Sequence, residues 1–153
     1  MAIEAPLSRY KRNNLFIIIA ILLVAGGWFA YDGYFNEKFI DEHSDKDGNP
    51  DSTLVFNRKS PPIFIAGILI VGAYLFTLRG VKIIADDQGL NINGKESIKY
   101  DSIQQVSKTH FDSKGFFIIT YKNSEGAAVE RKISDRTYDN LSEVLDRIVE
   151  KIS

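Results

Sequence analysis

LFIIIAILLVAGGWFAY, residues 15–31, carries no charged side chain. At 1.5 Å per residue this run covers about 25 Å of helix, close to the ~30 Å hydrocarbon core of a bilayer. Asn13 and Asn14 before it, and the residues after Tyr31, extend it to the two interfaces. Trp28, Tyr31 and Tyr34 sit where an aromatic belt is expected. A second run, IFIAGILIVGAYLFTL at residues 63–78, is also free of charge. Ser60-Pro61-Pro62 precedes it. Ser60 is the expected cap, with proline in the first turn, where its missing N–H costs nothing.

Both runs are apolar on every face, and a chain of 153 residues is too short to wrap two such helices in a soluble core. A cleaved signal peptide is the other reading of the first run. Arg9, Lys11 and Arg12 would be its basic region and Ala25-Gly26-Gly27 its cleavage site, but the apolar run continues through Trp28 and Phe29. Two membrane spans are therefore expected. Basic residues flank the first span at Arg9, Lys11 and Arg12 and the second at Arg79 and Lys82. The connecting loop sets seven acids against Lys38, Lys46, Arg58 and Lys59. Both termini are thus expected in the cytoplasm, with Arg58 and Lys59 as the awkward pair on the outer side. Gly26, Gly27, Gly72 and Ala73 are candidates for close helix approach, although no GxxxG motif occurs.

Composition removes whole classes of function. The formal net charge is −1, against the basic excess a nucleic-acid binder needs. Cysteine is absent, which excludes thiol nucleophiles, disulfides and cysteine-based zinc sites. The mean hydropathy of −0.11 averages two apolar runs with a polar remainder.

After Arg79 the pattern changes to short strands. Val81, Ile83 and Ala85 alternate, as do Leu90 and Ile92, then Ile98 and Tyr100. Asn93-Gly94 is the strongest hairpin signal in the chain. Ile103 and Val106 break the alternation and predict a bulge or corner. VSKTHF is read as a strand that carries His110 and leads to a turn at residues 112–115. FFIITYK, apolar on both faces at its start, reads as a central strand, followed by a turn at residues 123–126 and the strand AAVERKI. Leu141, Val144, Leu145, Ile148, Val149 and Ile152 form one helical stripe, with Ser134 or Asp135 as the expected cap.

IIADDQGLNINGKESIKYDSIQQV, residues 83–106, resembles the opening of the small bacterial pleckstrin-homology-like (PH-like) domains. Those read as a hydrophobic strand, Asp-x-x-Gly-Leu, a short hairpin, an aromatic residue and Asp-x-Ile-x-x-Val. The matching residues are Asp86 or Asp87, Gly89, Leu90, Tyr100, Asp101, Ile103 and Val106. The resemblance spans residues 81–152, about half the chain, and implies seven strands, of which the sequence here supplies five or six. Two spans followed by such a domain is similar to many uncharacterised bacterial membrane proteins, and this implies the bacterial inner membrane. Eukaryotic relatives hold phosphoinositides with basic residues around the first hairpin. Here that turn is Asp86-Asp87-Gln88-Gly89, and residues 79–153 hold 12 basic and 12 acidic residues, so no phosphoinositide site is supported.

The expected fold is an α+β membrane protein. A two-helix transmembrane hairpin precedes a small antiparallel sheet or partly open barrel, closed by an amphipathic helix. The expected segments are a cytoplasmic stretch at 1–14, spans at 15–35 and 62–79, an acidic extracytoplasmic loop at 36–61 and the domain at 80–153.

No reacting constellation emerges. Adjacent carboxylates such as Asp86 and Asp87 point apart in a strand or satisfy backbone donors in a turn. His110 has no acid in obvious pairing. The serines lack a Gly-x-Ser-x-Gly context, and Lys95 after Asn93-Gly94 does not make a phosphate loop. The loop stretch DKDGNPD, residues 45–51, offers Asp45, Asp47, Asn49 and Asp51 as weak candidate cation ligands. An EF-type loop fails in either register. Gly48 at its sixth position puts His43 first and Leu54 twelfth, while starting at Asp45 puts Pro50 where glycine belongs. Residues 53–57, TLVFN, read as an extended segment. Tyr31, Tyr34, Phe35 and Phe39 are candidates for a recognition surface, against the plainer reading that they rest at the bilayer interface. Phe35 and Phe39 would extend the first helix, although Gly33 weakens that.

The expected function is therefore non-enzymatic, without cofactors: an integral membrane protein whose domain binds a protein partner or its own kind. Two alternatives stand beside it, a membrane sensor with a cation- or ligand-binding loop, and an accessory subunit of a transporter or envelope complex.

Overall fold

The computed structural model describes residues 2–153, which fall into two compact units. One unit joins residues 2–13 to residues 78–153, and the other holds residues 14–77. The N-terminal stretch, read from sequence as a separate segment, is thus part of the β-rich unit.

In that unit strand β1 (Ile3–Pro6) pairs antiparallel with β2 (Lys82–Ala85), placing Ala5 opposite Ile83. β2 pairs with β3 (Gly89–Ile92), and β3 with β4 (Glu96–Lys99), in the order β1-β2-β3-β4. Asn93 and Gly94 both have positive φ, the conformation a two-residue hairpin turn requires. A 3-10 turn at Tyr100–Ser102 leads to β5 (Ile103–Ser107), whose register shifts between Ile103 and Gln105, as the broken alternation predicts. β6 (Phe116–Lys122) lies between β5 and β7 (Ala128–Ser134) in a second antiparallel sheet. The core gathers Ala5, Ile83, Leu90, Ile92, Ile98, Phe117, Ile119 and Ile133 from the strands. Leu141, Val144, Leu145 and Ile148 join it from helix α6 (Leu141–Ile152).

Two expectations in this unit are corrected. His110 is not in a strand: β5 ends at Ser107, and His110 precedes the single turn α5 (Phe111–Lys114), with its ring 5.3 Å from that of Phe116. Gly115, at φ +67, ends that turn in the left-handed conformation. Helix α6 does not start at Ser134 or Asp135. Asn140 adopts φ +59, which no helix continues through, and residues 137–140 are committed elsewhere. Thr137 O accepts from Ser8 N, Leu7 bridges Tyr138, and Asp139 N donates to Pro6 O. The far side of β1 is covered in this way.

Helix α1 (Arg9–Tyr34) begins directly after this clasp. A helix start leaves N–H groups without intrahelical partners. Here the Asp139 carboxylate accepts from Arg9 N at 3.1 Å and from Arg9 Nε at 3.3 Å. A cap usually comes from the preceding residue, but here it comes from 130 positions away. Asp139→Ala is expected to cost about 1 kcal/mol through the lost cap. Thermal unfolding of the purified protein measures this, and an unchanged midpoint refutes the capping role.

The other unit holds most of α1, then α2 (Glu37–Glu42), α3 (Ser52–Lys59) and α4 (Pro61–Thr77). Two helical runs, Arg9–Tyr34 and Ser52–Gly80, are long and apolar enough to cross a membrane. Their most apolar windows are 0% and 6% buried, unlike core helices. Close approach uses Gly26, where an added Cβ would lie 3.0 Å from Phe64 Cβ, and Gly67, facing Leu22. Gly27 and Gly72 face open space instead. Phe29 stacks on Phe64 and meets Phe56 edge-on, both at 5.5 Å. TLVFN is helical rather than extended, because Asp51 caps α3 by accepting from Leu54 N.

Candidate functional site

The residues singled out by sequence lie in and around the α1–α4 connection. Asp45 does not hold its oxygens open. Its Oδ1 accepts from Asp47 N and Asn49 N at 2.9 and 2.8 Å, and its Oδ2 accepts from Asn49 Nδ2 at 3.0 Å. Gly48 turns the chain at φ +79. Asp51 divides its carboxylate between Leu54 N at 2.9 Å and His43 Nδ1 at 2.7 Å. Among the described residues no group of three His, Cys, Asp or Glu could hold a metal ion. DKDGNPD therefore works as a side-chain-closed turn followed by a helix cap.

These bonds favour the charged carboxylates. Asp45 lies below its ordinary value of 3.8, chiefly through the Asn49 side chain, then the Asn49 backbone. Asp51 is lowered by Leu54 N first and His43 second. Each group binds its proton less readily folded than unfolded. Its stabilising effect is complete above about pH 4 and is lost as the pH falls through the lowered folded value. Amide protection, measured relative to the intrinsic exchange rate at each pH, is expected to fall below pH 4 at residues 47–49 and 51–54, and in Asp51→Ala to be low at every pH. Equal protection at pH 3 and pH 6 in the unsubstituted protein refutes this.

Around the end of α1 the awkward Arg58 finds its use. Pro61 and Pro62 have no N–H, so the carbonyls of Asn57 and Arg58 lose their intrahelical partners. Arg58 O instead accepts from the Tyr34 hydroxyl at 2.9 Å. Arg58 Nε donates to Gly33 O at 2.9 Å, satisfying one of the last carbonyls of α1 with a cation at the negative helix end. The guanidinium carbon lies 6.0 Å from the Tyr34 ring centre. Gly33 does not stop the helix. It admits α3, since an added Cβ would lie 3.1 Å from Asn57 C. Ser60 departs from its expected capping role: its buried Oγ has no hydrogen-bond partner among the described residues, and its carbonyl starts α4, accepting from Ile63 N and Phe64 N. Gly33→Val is expected to push α1 and α3 apart and lower the unfolding midpoint in detergent. An unchanged midpoint refutes the close contact.

The four aromatic candidates separate. Tyr34 is engaged with Arg58, and Phe39 packs on His43 at 4.3 Å between ring centres. Tyr31 and Phe35 are 59% and 73% exposed. α1 ends at Tyr34 and α2 starts anew at Glu37, so Phe35 and Phe39 do not share one helix.

In the β-rich unit an open cleft of about 630 Å³ lies beside the β2–β3 turn. Asp86, Asp87 and Asp101 share it with Lys99 and Lys151. Asp86 Oδ1 accepts from Gln88 N and Gly89 N, and its carbonyl takes the Tyr100 hydroxyl, so Asp86 shapes the turn. Asp87 pairs with Arg147 at 2.6 Å and Lys151 at 3.5 Å. The mixed charge leaves no one-signed surface for an anion or a cation.

Sequence reasoning missed β1, Asp139 and Arg147. The signal for β1 was slight: Ile3 and Ala5 alternate with polar Glu4 over only four residues. Comparison with family models, with curated proteins and with solved structures finds no match to this chain.

Proposed function

We propose that the chain is a two-span integral membrane protein whose β-rich unit is a PH-like module for protein interaction or scaffolding, without catalysis of its own. The observation that carries the reading is the β1–β2 pairing. Strand β1 runs into one apolar helix and β2 follows the other. Such pairing requires both ends of the hairpin on one side of the bilayer. The basic residues at 9, 11, 12, 79 and 82 favour the cytoplasmic side of a bacterial inner membrane. The PH-like reading is supported by seven strands in sheets of four and three, closed by a C-terminal helix. The strand wanting in residues 81–152 is supplied by β1.

Reporter fusions test the arrangement. A green fluorescent protein fused after Ser153 is expected to fluoresce, and alkaline phosphatase inserted at Gly48 to be active. The reverse pattern overturns the orientation. Reproducible hydrolase or transferase activity of the purified protein overturns the non-catalytic part.

A further inference from the structure

Of the four sheet edges in the β-rich unit, three are blunted. β1 is covered by residues 137–140, β4 is four residues long, and β5 carries a register shift. β7 is seven residues long, regular and free of proline. It pairs with β6 alone, and among the described residues the backbone bonds that reach it from outside the sheet fall only on its last residue, where Ser134 O accepts from Thr137 N and Tyr138 N.

Which backbone groups face outward follows from the two ends of the β6–β7 ladder. Asn123 N donates to Ala127 O, and Asp135 N to Gly115 O. Hydrogen-bonded pairs alternate along an antiparallel ladder, so Val129, Arg131 and Ile133 bond to β6. Ala128, Glu130 and Lys132 turn their N–H and C=O groups outward, and so does Ser134, whose C=O is already taken by Thr137 N and Tyr138 N. Ala128, Glu130 and Lys132 are also exposed.

A second strand added here antiparallel must place its own outward residues opposite these. For a second copy of β7, only one such register sets unlike charges together. It puts Glu130 opposite the other copy's Lys132, Lys132 opposite its Glu130, and Ala128 opposite its Ser134. Val129 then faces Ile133 on the inner side. The two Arg131 residues meet at the symmetry axis, and each is already neutralised by Glu96 of its own chain at 3.3 Å. The neighbouring registers oppose Glu130 to Glu130 or Lys132 to Lys132, which is unfavourable.

Building on the interaction-module reading above, we propose that β7 is a homodimer interface, joining two chains edge to edge in a continuous sheet of β5-β6-β7 from each. The self-complementary Glu130 and Lys132 set its register. The same charges would instead serve as edge protection in a monomer, and experiment separates the two.

The chain has no cysteine, so single cysteines report cleanly. In native membranes holding the full-length protein, oxidised Arg131→Cys is expected to give a disulfide-linked dimer. Gln104→Cys, on β5, is expected not to. Adding Glu130→Lys to Arg131→Cys should lower the dimer yield about tenfold, and adding Lys132→Glu as well should restore it. Restoration by the double reversal excludes misfolding as the cause of the loss. Equal dimer from residues 104 and 131, or a yield indifferent to the charge reversals, overturns the proposal. A link from residue 131 to a protein of different mass overturns self-pairing while leaving the interaction-module reading standing.

Discussion

The pairing of Ile3–Pro6 with Lys82–Ala85 is the constraint on which the rest of the structure depends. It buries Ala5 in the core and gives β2 a neighbour on the side that β3 leaves open. It also fixes where α1 can begin. Leu7 and Ser8 are the only residues between the strand and the helix, and both are held by residues 137 and 138. The Asp139 carboxylate then meets the first N–H of α1. One short strand thus ties the sheet, the approach to α6 and the start of the first apolar helix into a single arrangement.

The α1–α4 connection obeys a similar economy of backbone groups. Proline removes donors, which frees carbonyls, and each freed or terminal carbonyl needs a partner when water is scarce. Tyr34 and Arg58 supply those partners reciprocally, one through a hydroxyl and the other through a guanidinium. A basic residue beside an apolar helix here answers a local need, which explains why it departs from the charge bias of the flanking segments.

Local signals were legible in the sequence and distant ones were not. Asn93-Gly94 named its own turn, because two positive φ angles in a row admit few residue types. Leu141, Val144, Leu145 and Ile148 named the buried face of α6, because helical spacing places them together. The start of that helix was misplaced. Ser134 and Asp135 look like caps, yet residues 137–140 serve a strand more than a hundred positions away. Residues 53–57 were misread as extended, since β-branched Thr53 and Val55 suit a strand and only the Asp51 cap and the packing of Leu54 tip the balance. Among the candidate residues, alternating oxygens at 45–51 suggested a ligand set, but the nearest donors were the backbone's own N–H groups.

The position of β1 also imposes an order on biosynthesis. Glu4 and Lys82, joined by an ion pair across β1 and β2, are 78 residues apart. At about 5–20 residues per second, the first strand waits roughly 4–16 s for its partner. In that interval both apolar helices are made. Until Lys82–Ala85 has been made, Ile3–Pro6 lacks the strand it pairs with. β1 is therefore the one strand of its sheet that cannot pair with a neighbour made just after it, whereas β2, β3 and β4 follow one another closely along the chain.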